Sequence, residues 1–147
     1  MTNIFGLTVE KFGPDARSLT PGVDGIPLPA LVRDFEIAHG YHVARLGYGG
    51  IIPDYFRYGP LRDYFLGAAK GDNWKDGIYL LGCNCGEVGC WPLRAKIAQT
   101  GGQICWSDFS QPHRPLQDYA AFGPFAFDRQ QYTAVLEEVL ANHEFRP

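Results

Sequence analysis

The sequence predicts an α+β fold: a single antiparallel or mixed sheet with a central three-stranded meander, and two or three helices packed mainly on one of its faces. Three observations carry this prediction. The stretch 77–114 alternates apolar, strand-forming runs with turn residues. The segments 28–38 and 128–140 place apolar residues at helical spacing. The composition, 46% hydrophobic and 20% charged, is typical of a folded globular chain.

Length and charge limit the function classes. The 147 residues match the size of one ordinary domain, so we expect residues 1–147 to form a single domain. A net charge of −3 provides no basic surface for nucleic acid or for an anionic membrane. No apolar run reaches the roughly 18 residues of a membrane span, and the first residues lack the pattern of a signal peptide. We therefore expect a cytoplasmic protein, whose thiols are kept reduced.

The central stretch is predicted to be a meander of three strands. Residues 78–83 form an apolar run with turn residues on both sides. A second strand is expected over 90–98, and the Thr-Gly-Gly turn at 100–102 connects it to a third strand over 104–109.

All four cysteines lie in this stretch. A hairpin turn centred on Gly101 pairs residues whose numbers add to about 202. Cys105 then lies opposite Ile97 or a near neighbour, far along the hairpin from the other cysteines, while Cys90 lies beside His113. The residues predicted to gather at one end of the sheet are Cys83, Cys85, Cys90 and His113.

Three sulfurs and an imidazole match a tetrahedral zinc site, so zinc is the predicted cofactor. The spacing Cys-x-Cys-x4-Cys departs from the common pattern, in which two to four residues separate paired cysteines. Two other interpretations stay open. In one, the cysteines are reduced residues that pack as small apolar groups, and His113 binds a backbone carbonyl. In the other, Cys83 and Cys90 form a disulfide or a redox pair.

The run LLGCNCGEVGCWPL, followed by WSDFSQPHRP and FGPFAFDRQQY, resembles a family of uncharacterised bacterial proteins built around a GCxCGxxGCWPL signature. The resemblance covers the second half of the chain well and the first half loosely. It implies a bacterial protein of cytoplasmic type. It implies no reaction and no catalytic residue.

The first half is predicted to begin with a strand over 4–12 and a second short strand from Arg17. Consecutive turns are expected at 20–22, a Thr-Pro-Gly sequence, and at 24–25. A strand interrupted by glycines is expected over 42–52, without the spacing of a phosphate-binding loop.

Two amphipathic helices are predicted at opposite ends of the chain. The segment 28–38 has Pro29 in its first turn and Gly40 after its end. Its charged residues, Arg33, Asp34 and Glu36, are expected to turn away from the apolar face. The last helix is expected to be capped by Asp128, with Gln131 completing a capping-box-like pair. The apolar stripe of that helix comprises Tyr132, Val135, Leu136, Val139 and Leu140.

An aromatic segment precedes a short helix that is expected to run from Pro60 to about Gly71. Two interpretations of its first aromatic residues stay open. They belong to the core, as aromatic clusters usually do, or they line an exposed groove for a small molecule or a protein partner. The residues of that predicted surface are Tyr55, Phe56 and Tyr58.

Three functions from different classes follow from these patterns. The first is a zinc-stabilised binding or interaction domain. The second is a metal-dependent hydrolase with water as the fourth ligand and Glu87 or Asp108 as general base. The third is a thiol redox role for Cys83 and Cys85 or Cys90. The nearby cations that would lower a thiol pKa are Arg94, His113 and Arg114.

Overall fold

The computed structural model describes residues 2–44 and 46–145. This part of the chain forms an α+β fold with antiparallel strand pairing, as predicted. Two 3-10 turns, Asp72–Trp74 and Val88–Cys90, interrupt its loops. In chain order, the elements are β1 (Phe5–Phe12), β2 (Ala16–Val23), β3 (Ile26–Pro27), α1 (Leu28–Ala38), β4 (Tyr48–Gly49), α2 (Leu61–Phe65), β5 (Ile78–Cys83), β6 (Leu93–Thr100), β7 (Gln103–Ser110), β8 (Phe125–Asp128) and α3 (Arg129–Asn142).

The prediction of a single sheet is wrong. The described strands form a three-stranded sheet, in the order β1-β2-β3, and a five-stranded sheet, in the order β4-β5-β6-β7-β8. Because α1 follows β3 directly, the chain leaves the first sheet there and begins a second sheet at β4. Two isolated bridges connect the sheets, one between Leu19 and Ile51 and one between Asn3 and Phe127.

The turn expected at 20–22 is instead the continuation of β2, in which Pro21 pairs with Leu7 of β1. The Leu19 amide donates a hydrogen bond to the Ile51 carbonyl, 2.8 Å away. Because amide directions alternate along a strand, the Pro21 nitrogen points to the same side as the Leu19 amide. On that side it falls between Ile51 and Pro27, the last residue of β3, where no strand pairs with it. A proline is therefore tolerated inside this strand.

The remaining predictions for the first half had mixed outcomes. Helix α1 has the predicted bounds, but its residue Glu36 is fully buried rather than turned away. Of the strand expected over 42–52, the described residues, 42–44 and 46–52, form the two residues of β4 and a single bridge at Ile51. Helix α2 ends at Phe65, before the expected end, because Gly67 takes a positive φ of 78° that turns the chain.

The meander β5-β6-β7 is confirmed, with β5 over the predicted residues. The second strand begins at Leu93 rather than at Cys90, because Cys90 ends the 3-10 turn Val88–Cys90. In the hairpin, Cys105 pairs with Ala98, one residue from the predicted partner Ile97. The register then shifts between Arg94 and Lys96. A bulge of this kind adds an unpaired residue to one strand, so simple counting from the turn does not hold beyond it.

The side chain of Asp128 caps α3 by accepting a hydrogen bond from the Gln131 amide at 3.0 Å, as predicted. Gln131 does not complete a capping box. Its side chain bonds instead to the backbone amide and carbonyl of Phe5, at 2.9 and 2.8 Å, which fastens α3 to β1.

One hydrophobic cluster joins the two sheets and the three helices. Near its centre, the Trp106 indole donates to the Tyr132 hydroxyl, which donates to the carbonyl of Phe65. Within the described part of the chain, no helix has the length and apolar character needed to cross a membrane.

Candidate metal centre

The cysteine-rich loop follows directly from the end of β5 at Cys83. A turn is closed by the Gly86 amide, which donates to the Cys83 carbonyl at 3.0 Å. The 3-10 turn Val88–Cys90 comes next, and the Cys90 amide donates to the Glu87 carbonyl at 3.1 Å. The Glu87 carboxylate accepts from the Gly89 amide at 3.4 Å, so this side chain caps the 3-10 turn. Two successive tight turns therefore return the chain to its starting point.

This return requires a residue without a side chain at position 82. A Cβ atom on Gly82 would lie 2.9 Å from the Cα atom of Val88, a distance that backbone atoms do not allow. Val88 is buried at this contact. The glycine before Cys83 thus lets the 3-10 turn pack directly on the end of β5, which brings Cys90 back towards Cys83.

The turns gather three sulfurs. The Sγ atoms of Cys83, Cys85 and Cys90 all lie within 4.8 Å of one another. Three sulfurs bound to one tetrahedral zinc ion at about 2.3 Å would lie about 3.8 Å apart. Small rotations of the side chains would therefore bring the sulfurs to a shared ion. Cys105, on β7, is not part of this group, and all four cysteines are free thiols.

The backbone of the loop points amide groups at two of the sulfurs. The Cys85 amide donates to the Sγ atom of Cys83 at 3.4 Å. The Glu87 amide donates a hydrogen bond to the Cys85 sulfur, which lowers the pKa of Cys85. A hydrogen bond with the Cys83 thiol lowers it further, by a smaller amount. Burial raises the pKa of Cys83 to about 11. The exposed Cys85 is therefore the easier of the two to deprotonate, and a bound cation would favour the thiolate form of Cys83.

His113 lies next to the loop, as the hairpin register predicted, but not among the sulfurs. Its Nε2 atom is 2.6 Å from the carbonyl oxygen of Gly89. Neither ring nitrogen belongs to the group of atoms within 4.8 Å of one another. The next residue is also fixed, because the Arg114 guanidinium lies 4.3 Å over the Trp91 ring and donates to the His113 carbonyl at 2.9 Å. The 111–114 turn is thus held against 89–91 by contacts other than a metal.

Asp108 is distant from the cysteine loop, so the prediction that placed it there as a general base is wrong. Its carboxylate lies 3.6 Å from the Lys96 ammonium. The neighbouring residue on β6, Ala95, pairs with Ile78, which is five residues before Cys83. Asp108 is therefore about 16 Å or more along the sheet from Cys83.

The aromatic residues predicted to form a surface have different environments. Tyr58 is only 2% exposed and packs against Tyr64 and Trp74, so it belongs to the core rather than to a surface. Phe56 is half-buried and contacts the same cluster. Tyr55 is 57% exposed.

Tyr55 borders the cysteine loop together with Phe12. The two rings meet edge to face, with 5.8 Å between their centroids. A Cβ atom on Gly86 would lie 2.9 Å from the Phe12 ring and 3.4 Å from the Tyr55 ring. The loop therefore packs against an aromatic pair from the first half of the chain.

A buried polar network that the sequence did not predict lies beside the site. Both Tyr48 and Tyr119 donate a hydrogen bond to the Oε2 atom of Glu36, the former at 2.7 Å. Gln111 donates to the Tyr48 hydroxyl at 3.1 Å, and Gln117 donates to the Tyr119 hydroxyl at 2.8 Å. Tyr48 pairs with Cys83 across β4 and β5, and paired residues project from the same face of a sheet, so the network begins beside the buried Cys83.

The network lacks a partner for two of its oxygens. The Oε1 atoms of Glu36 and Gln111 are buried and have no hydrogen-bond partner among the described residues. Burial raises the pKa of Glu36, against the opposing effect of the two tyrosine hydrogen bonds. Burial raises the pKa of Tyr48, and the charge of Glu36 raises it further. The spacing of Leu28, Val32 and Glu36, four residues apart on the buried face of α1, was the sequence signal for this position.

Comparison of the chain with known protein families, with curated proteins and with solved structures finds no match. The resemblance to a bacterial family with the GCxCGxxGCWPL signature stays a prediction.

Proposed function

We propose that this chain is a small metal-binding domain in which Cys83, Cys85 and Cys90 bind one zinc ion that stabilises the loop between β5 and β6. The observation that carries this proposal is the group of three sulfurs within 4.8 Å of one another. Thiolates are soft ligands, and zinc is a common thiolate-bound ion without redox chemistry of its own. The proposed role is a binding or interaction domain, in which the metal shapes the surface of the loop.

The energetics of the loop support a stabilising role. Apart from Cys83, Val88 and Pro92, its residues are exposed or half-buried, so it buries little apolar surface of its own. The raised pKa of the Cys83 thiol opposes a thiolate at neutral pH unless a cation is present. Because the unfolded chain does not present this arrangement of thiols, the binding free energy of the metal adds to the free energy of folding.

The test is the metal content of protein purified without a histidine tag, read together with thiol accessibility. We expect about one zinc per chain, with three thiols that become reactive when the metal is released. Cys90→Ser should lose the metal, whereas the matched variant Cys105→Ser should keep it. Protein without metal that also fails to bind added zinc would contradict the proposal, as would equal metal content in both variants.

A thiol redox role is the second candidate, and one observation favours it. Cys85 is exposed, has a lowered pKa and lies within 4.8 Å of two other thiols. Rapid alkylation of Cys85 at neutral pH in metal-free protein would support this role, and slow alkylation of every thiol would count against it. A hydrolase has weaker support, because Asp108 is distant and the Glu87 carboxylate caps the 3-10 turn.

A further inference from the structure

The protein supplies three ligands to the proposed metal, and a tetrahedral ion takes four. Among the residues at 2–44 and 46–145, no histidine, aspartate, glutamate or fourth cysteine joins the group formed by Cys83, Cys85 and Cys90. We propose that the fourth coordination position is open and that it takes a small thiol as an exchangeable ligand. This inference rests on the metal-binding function proposed above.

His113 is the predicted fourth ligand, and its contacts keep its ring away from the three sulfurs. Its Nε2 atom is hydrogen-bonded to the Gly89 carbonyl, and its Nδ1 atom lies outside the sulfur group. Binding the metal would require the ring to leave Gly89. Two contacts restrain the backbone next to His113 and so limit the movement of its ring. The Arg114 guanidinium stacks on Trp91, and the Arg114 amide donates to the Gln111 carbonyl.

The burial of the three sulfurs determines where the open position lies. Cys83 is buried at the end of β5, whereas Cys85 and Cys90 are exposed. An ion held by all three therefore has the protein on the side of Cys83 and solvent on the opposite side. The remaining coordination position would therefore lie on the solvent side, next to Cys85 and Cys90. A ligand can reach it without a change in the fold.

The chemistry of the site favours sulfur in the incoming ligand. A metal already bound by three thiolates takes another soft donor well, and sets of four thiolates are a common coordination for zinc. The thiol would replace a bound water molecule, lose its proton to solvent and bind as a thiolate, with no change in oxidation state. The exposed Tyr55 and its neighbour Phe12, which pack against Gly86, offer an apolar surface beside the loop for the carbon portion of such a thiol.

Cobalt(II) substitution tests the inference, since the intensity of the sulfur-to-cobalt charge-transfer band reports the number of bound thiolates. Cobalt-loaded protein is titrated with 2-mercaptoethanol, and with ethylene glycol as a matched compound without sulfur. We expect a saturable increase of about a third in the band as three thiolates become four, and no change with ethylene glycol. His113→Ala should have the same spectrum and the same response. Cys105→Ser should also respond, which excludes an effect at that thiol.

Each outcome separates the inference from the function on which it rests. A chain that takes up no cobalt overturns both. A cobalt-loaded chain whose band does not respond to thiol overturns the inference alone. A spectrum that also changes in His113→Ala would identify His113 as the fourth ligand. Loss of the band on addition of thiol also overturns it, because the thiol then removes the metal rather than joining it.

Discussion

Glu36 is the residue whose environment departs most from its type. Its side chain is fully buried on α1, accepts two phenolic hydrogen bonds at one oxygen and leaves the other oxygen without a partner among the described residues. A buried polar atom without a partner costs about 1–3 kcal/mol, and a buried charge costs more. The protonated acid, which carries no charge, is therefore the form that this site favours.

The first prediction concerns the pH dependence of stability. The pKa of Glu36 is raised above 4.5 in the folded protein. The contribution of this side chain to folding stability is therefore fully present below pH 4.5. Stability should fall as the pH rises from 4.5 through the folded pKa, because the unfolded chain gives up its proton first. In Glu36→Gln, the neutral amide keeps an oxygen for both tyrosines, and this fall should be absent. The variant should unfold at a higher temperature than the natural protein at pH 8.

The check is thermal unfolding between pH 4 and pH 9, in which the melting temperature of Glu36→Gln is compared with that of the natural protein at each pH. The exposed Glu138→Gln on α3 is the control for the loss of one negative charge. An equal pH dependence in the natural protein and in Glu36→Gln would contradict the assignment of a protonated Glu36.

The second prediction concerns Gly82. An alanine at this position would place its Cβ atom 2.9 Å from the Val88 backbone, so the 3-10 turn must move away from β5. We expect Gly82→Ala to lose about 1–3 kcal/mol of stability and to bind metal more weakly, because Cys90 moves with the turn. Gly102→Ala is the matched control, since its Cβ atom would have no neighbour within 4 Å. Equal melting temperatures and equal metal affinities in the two variants would contradict this account of the loop.

Among the elements, α3 depends on Asp128, the N-cap residue that precedes it. The Asp128 side chain accepts from the Gln131 amide, and the Gln131 side chain bonds to both backbone groups of Phe5. A single turn of the helix therefore combines an N-cap with a connection to β1. The two functions can be separated, because they use different side chains.

The third prediction tests this separation by chemical denaturation. Asp128→Ala should lose about 1 kcal/mol, whereas Asp128→Asn, which retains a capping oxygen, should lose much less. Gln131→Ala should cost more than Asp128→Ala, because it leaves the partly buried amide and carbonyl of Phe5 without partners. If Asp128→Asn were as unstable as Asp128→Ala, the carboxylate of Asp128 would not stabilise the protein by capping α3.

For the whole molecule, the proposed metal connects the stability of the fold to the metal concentration. The fourth prediction is that a chelator lowers the melting temperature of zinc-loaded protein. At a free zinc concentration 100 times the dissociation constant, the ion contributes about 2.7 kcal/mol to the free energy of unfolding. Cys105→Ser should show the same shift, and Cys90→Ser should show none. A melting temperature independent of zinc in all three proteins would mean that the thiol group does not bind zinc.

Local patterns in the sequence were sufficient for α1, β5 and the cap of α3. Each depends on residues within a few positions of one another, such as the proline in the first turn of α1 or the glycines and prolines around the meander. The gathering of Cys83, Cys85 and Cys90 belongs largely to the same class, because two tight turns within the loop bring the sulfurs together. Distant segments also hold the loop, since the Asn84 amide donates to the Gly47 carbonyl at 3.0 Å.

Contacts between distant segments decided the rest. Glu36 and Tyr58 are buried because Tyr119 and Trp74 come from elsewhere in the chain to cover them. A bulge in the hairpin, rather than its turn, sets the register beyond Lys96, where counting from the turn no longer holds. The sequence by itself thus determined most of the elements and the thiol cluster, whose two tight turns are closed by local hydrogen bonds. The division into two sheets, the buried acid and the position of His113 outside the sulfur group arise only when those elements pack against one another, and no local pattern records that packing.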